Sequence, residues 1–112
     1  MDEILFEMSN LRKSKYKALP VNIWISTDLS VRHREPTIKF QNNYSDRTTS
    51  KSDLIPMSII DGRILVSKKV DISPSDLARV RKFVELNRDL LIKLWNQDID
   101  DEDFRSGADF DF

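Results

Sequence analysis

Residues 73–95 read SPSDLARVRKFVELNRDLLIKLW, and this stretch decides the fold. Ser73 stands where an N-cap hydroxyl belongs, and Pro74 follows at the first helical position, where its missing N–H costs nothing. Asp76 comes three residues after the cap, in reach to bond back to it. Behind this start Leu77, Val80, Phe83, Val84, Leu86, Leu90, Leu91, Leu94 and Trp95 recur at three- and four-residue steps. Arg79, Lys82, Glu85, Arg88, Asp89 and Lys93 fill most of the opposite side. The spacing predicts one long amphipathic helix over 75–95.

Upstream, Met57-Ser58-Ile59-Ile60 and Arg63-Ile64-Leu65-Val66 flank Asp61-Gly62. Asp-Gly between two apolar runs predicts a β-hairpin closed by a two-residue type I′ turn, which needs positive φ at both central positions. Val21–Ser26 alternates as a strand, with Val21, Ile23 and Ile25 on one face and Trp24 on the other. Thr37–Phe40 makes a second short strand, and the aliphatic-free run 41–53 reads as a loop. At the start, Ile4, Leu5, Met8 and Leu11 have helical spacing, while Ile4-Leu5-Phe6 also suits a strand. The expected class is α+β: a small antiparallel sheet of three to four strands, with a β-hairpin, packed on one long C-terminal helix.

The length, 112 residues, suits one domain. The chain has no cysteine, which excludes disulfides, thiolate metal sites and a cysteine nucleophile. No apolar run approaches the roughly 18 residues of a membrane span, and Met1-Asp2-Glu3 is acidic where a secretory signal is basic. A cytoplasmic protein without a membrane partner is expected. The formal net charge of -1 hides a split. Residues 1–96 carry 17 basic and 12 acidic side chains, whereas 97–112 carry one Arg and seven acids. The organisation expected from this is a compact domain over 1–97 and a flexible, acidic, Phe-containing tail over 98–112.

Catalytic and metal signatures are weak. The single histidine, His33, lies between Arg32 and Arg34, whose charges favour its neutral form, and no second His or Cys can join it at a metal. With 2 glycines there is no phosphate-cradling loop. The run Asp98–Asp103 is acidic enough to suggest calcium, but Asp103 stands at the sixth loop position, where the turn requires Gly. The chain is expected to be non-enzymatic, without cofactor or metal.

Two constellations remain. Arg12, Lys13, Lys15 and Tyr16, then Arg32, His33, Arg34 and Lys39, then Tyr44 and Arg47 mix cations with stacking rings, a composition suited to phosphates and bases. The second is the tail, where Phe104, Phe110 and Phe112 alternate with Asp100, Asp101, Glu102, Asp103, Asp109 and Asp111. Apolar anchors set among carboxylates fit a partner with a basic groove.

This tail resembles the acidic, Phe-ended tails of bacterial and phage single-stranded-DNA-binding proteins, whose final Phe docks into basic pockets on partners. The span from Val21 to about Asp100 is similar to a group of small bacterial and mobile-element proteins of unknown function. That likeness rests on NIWIS at 22–26, RHREPTIKFQ at 32–41 and the helix with Phe83, Asn87 and Trp95, Phe83 standing where the group more usually has Trp. Some members look like parts of toxin–antitoxin or phage-defence neighbourhoods. The expected function is a small regulatory protein of bacterial or phage origin that binds, and inhibits, a nucleic-acid-handling partner. The alternative is a nucleic-acid-binding module using the basic body, with the tail competing in cis.

Overall fold

A computed structural model describes residues 8–26, 35–45 and 53–112. Four antiparallel strands form one sheet in the order β1 (Met8–Leu11), β2 (Ile23–Ser26), β3 (Thr37–Gln41) and β4 (Leu54–Ser58). Three helices follow: α1 (Pro74–Leu86), α2 (Arg88–Trp95) and α3 (Asp101–Gly107). The α+β expectation holds for this architecture. Residues 8–11 take the strand reading of the opening segment, and residues 2–7 lie outside the described residues.

Strand alternation sorts the two faces of the sheet. Leu11, Ile23, Phe40 and Ile55 register across all four strands, and Ile25, Ile38 and Met57 form the next row. All seven are buried and join Val80, Phe83 and Val84 of α1, Leu91 and Leu94 of α2, and Phe104 of α3 in one core. The opposite face carries the row Asn10, Trp24, Lys39 and Pro56. Trp24 is only 2% exposed there, so that face is covered too. Pro56 sits on the last strand, an edge position where its missing N–H breaks no ladder.

The single long helix expected over 75–95 is two helices, broken at Asn87 (φ -113, ψ 16). The reason is the Asn87 side chain, which is buried and reaches outside the helix for partners. Beside the break Leu86 is 41% exposed, although the periodicity placed it on the apolar side. Leu77 is half-buried, while Val80, Val84, Leu91 and Leu94 pack as expected.

The hairpin also differs. Ile59–Asp61 form a turn with Gly62, whose N–H donates to the Ser58 carbonyl at 2.9 Å, and Ser58 N–H donates to Arg63 O at 2.8 Å. Gly62 has φ 75, but Asp61 is not in the left-handed region, so the turn is a four-residue loop rather than type I′. Asp61 instead accepts from Arg63 N–H through its side chain at 3.0 Å. Beyond the Ser58–Arg63 bond, the returning arm meets β4 through the Met57–Ile64 bridge and the Leu65 N–H bond to Pro56 O. Among the described residues, no helix is long and apolar enough to cross a membrane.

Candidate functional site

The C-terminal acidic run folds because its first residues cap helices. At the end of α2, Gln97 N–H donates to Leu94 O at 3.0 Å and Asp98 N–H to Lys93 O at 2.8 Å. This Schellman pair turns the chain, with Gln97 at φ 62 in the position usually taken by Gly. Two residues later Asp100 caps α3. Its side chain accepts from Asp103 N–H at 2.8 Å, and Asp103 accepts in return from Asp100 N–H at 3.4 Å. Asp101, Glu102 and Asp103 then occupy the first turn, where negative charge suits the helix dipole.

The rings point the other way. Phe104 is 0% exposed and belongs to the core. Phe110 stacks on Tyr16 with centroids 4.0 Å apart and planes at 14°, and also meets Phe83 at 5.7 Å and the edge of Phe104 at 6.5 Å. Phe112 lies 6.1 Å from Phe83. Between the rings, Asn87 accepts from Asp109 N–H at 2.6 Å and donates to Asp109 O at 2.8 Å.

Arg105 ties α3 to the first strand. It donates to Asp101 at 2.8 Å, to the Tyr16 hydroxyl at 3.3 Å and to the Asn10 carbonyl at 2.9 Å. Burial opposes its charge, but the bonds to Asp101 and Tyr16 and the Asp101 charge outweigh it, so its pKa is raised.

Residues 98–112, expected as a flexible appendage, are therefore packed on the body. Phe104 is unavailable as a partner anchor, and Phe110 and Phe112 are half-buried. The carboxylates divide: Asp101 pairs with Arg105 and is half-buried, while Asp98, Asp100, Glu102, Asp103, Asp109 and Asp111 are exposed. Several of them border an open groove of about 440 Å³ at the α2–α3 corner, lined also by Leu94, Gln97 and Ile99. Among the described residues, no three acids or histidines converge as metal ligands would.

Of the basic constellation, the structure brings Lys13 to Tyr44 and Lys15 to Tyr16 among the described residues. Arg32, His33, Arg34 and Arg47 lie outside the described residues. Tyr16 is covered on one side by Phe110, with the Lys15 ammonium 5.6 Å from its ring. Tyr44 donates to Asp76 at 2.7 Å and accepts from Ser73 N–H at 2.9 Å, so it anchors the start of α1. Lys13 donates to the Tyr44 carbonyl. Lys39 is half-buried on β3, and Arg12 is exposed on the turn after β1.

From sequence, Asn87 figured only as a position in the family likeness and Arg105 had no assigned role. An amide inside an apolar periodicity was the available signal for Asn87, and the D-x-x-D box at 100–103 before Phe104 was the signal for α3. No protein-family model matches the chain, and no curated protein or solved structure matches it.

Proposed function

We propose that this chain is a small non-enzymatic regulatory protein that binds, and inhibits, a nucleic-acid-handling partner through a preformed acidic face. The observation that supports this is the orientation of 98–111: the rings turn inward, four exposed carboxylates (Asp98, Asp100, Glu102 and Asp103) stand on an ordered scaffold of caps and helix, and Asp109 and Asp111 point outward from the extended segment that follows. Negative charge already fixed in place loses little conformational entropy on docking into a groove built for phosphates. Such charge contributes association rate and selectivity as well as affinity. The partner's groove is basic, and the anchors are carboxylates rather than the buried Phe104.

The alternative, direct nucleic-acid binding, has weaker support, because both stacking rings it relied on have intramolecular work to do.

The test begins with capture of partners from a nuclease-treated bacterial lysate on the immobilised full chain. Each captured protein is then purified and titrated against the chain and against its Asp98→Asn, Glu102→Gln, Asp111→Asn triple variant. Expected are binding that weakens with salt, competition with a short DNA duplex on the partner, and a loss of about tenfold or more in the variant. A partner that binds both forms equally, or that holds DNA and this chain together, sinks the proposal.

A further inference from the structure

The acidic face lies outward; beneath it, on the inner side of residues 108–112, is a second and separate feature. From Ala108 the chain is extended (φ -73, ψ 147), and its residues alternate in exposure: Asp109 and Asp111 outward, Phe110 and Phe112 half-buried. It lies against α1 and the turn that carries Tyr16. Three kinds of contact hold it. Asn87 reads both main-chain polar groups of Asp109, Tyr16 and Phe83 flank the Phe110 ring, and Arg79, which donates to the Ala18 carbonyl at 3.0 and 3.2 Å, also reaches the Phe112 main-chain oxygen at 3.5 Å.

None of these contacts depends on the acids themselves. A side-chain amide that bonds both N–H and C=O of an extended residue does what a neighbouring strand does, and it accepts almost any residue there. The ring slot selects an aromatic. Lys15 beside the Tyr16 ring and Arg79 beside Phe112 place positive charge around the groove, complementary to acids at the alternate outward positions. The segment is also separable, since it follows Gly107 at the end of α3. α3 has holds of its own in the buried Phe104, the Asp100–Asp103 capping box and the Arg105 bonds to Tyr16 and Asn10.

We propose that the groove formed by Asn87, Phe83, Arg79 and Tyr16 is a peptide-binding site, with Ala108–Phe112 as its resident occupant. Its external ligand is an extended acidic segment of a partner protein, with aromatic residues at alternate positions. This goes beyond the acidic-face reading, with which it shares Asp109 and Asp111 on the resident segment. The resident segment lowers the affinity seen from outside in proportion to the time it occupies the groove.

The test uses fluorescein-labelled peptides and anisotropy on full chains. One peptide is SGADFDF, the sequence of 106–112; a second repeats glutamate and tyrosine; a control replaces both Phe of the first by Ala. Two variants loosen the resident segment: Asp109→Pro, which removes the N–H that Asn87 accepts, and the double change Phe110→Ala, Phe112→Ala. Both aromatic peptides should bind at least one loosened variant about tenfold or more tighter than the unaltered chain, and the control should not. Folded variants that bind neither peptide overturn the site. So does loss of cooperative unfolding in both variants, which makes the segment a fixed part of the core. A dimer of the unaltered chain that disappears in the variants, with no binding of the glutamate–tyrosine peptide, assigns the groove to a second copy and overturns the partner.

Discussion

Asn87 grips the main chain of Asp109 from both sides, accepting its N–H at 2.6 Å and donating to its carbonyl at 2.8 Å. The same amide nitrogen lies 3.0 Å from Phe83 O, so one buried side chain ends α1 and secures the C-terminal segment. Replacing it with Leu keeps the branching at Cγ and removes all three bonds. The Asp109 groups then lose their protein partners, and the expected loss is about 2–3 kcal/mol. Limited proteolysis should cut first near 108 in that variant. A melting temperature equal to that of the unaltered chain would show that the grip is incidental.

Phe104 and Phe112 should behave very differently. Phe104 is fully enclosed, and Phe104→Ala should cost about 3–5 kcal/mol. Phe112 is half-buried at the margin, and its replacement by Ala should cost about 1 kcal/mol. Truncation after Asn96 removes both together with Arg105 and should lower the melting temperature sharply. Chemical denaturation of the three proteins checks the order.

Gly62 should resist substitution. Its φ of 75 is strained for any L side chain, and a β-carbon there would meet Arg81 Cγ at 3.4 Å. Gly62→Val should cost about 1–2 kcal/mol, and Gly62→Asn less. An unchanged unfolding midpoint for the Val variant would contradict this turn geometry.

Gln97 offers the opposite opportunity. It holds φ 62 at the position after the α2 cap. Gln97→Gly relieves that conformation and should raise stability by about 0.5–1 kcal/mol, whereas Gln97→Ala should give no gain. Equal midpoints for the Gly and Ala variants would remove backbone strain as the explanation.

Both tryptophans are enclosed, Trp24 at 2% and Trp95 at 5% exposure. Their emission should be blue-shifted in the folded protein and resist quenching by iodide, with both properties lost on unfolding. Emission at the wavelength of free tryptophan in the native protein would count against the covered second face.

What the sequence made readable was whatever depends on neighbours along the chain. The Ser73 cap, the strand alternation of Ile23 and Ile25, and the helical spacing of Val80, Val84, Leu91 and Leu94 all belong to this kind. The break in the expected long helix has its cause in a polar side chain with a distant partner. Asn87 looks like one more polar residue in a helix until Asp109, 22 positions away, is beside it. Asn42 does the same for the segment before α1, accepting from Asp71 N–H at 2.7 Å and donating to Lys69 O at 3.0 Å. The acidic run misled for another reason. Solvating and helix-capping acids look alike in composition, and only the position of Asp100 relative to Asp103 and Phe104 tells them apart.

The enclosure of Phe104 bears on synthesis. A polypeptide emerging from the ribosome can pair β1 to β4 and form α1, yet Phe83 and Tyr16 stay uncovered until 104–110 have cleared the exit tunnel. Chains interrupted earlier present that aromatic surface to chaperones and proteases, which marks them for removal. Chains held on the ribosome by added C-terminal linkers, one too short and one long enough to free residues 104–112, should differ in protease resistance by a single step. A gradual gain with length would mean that the core closes without its last ring.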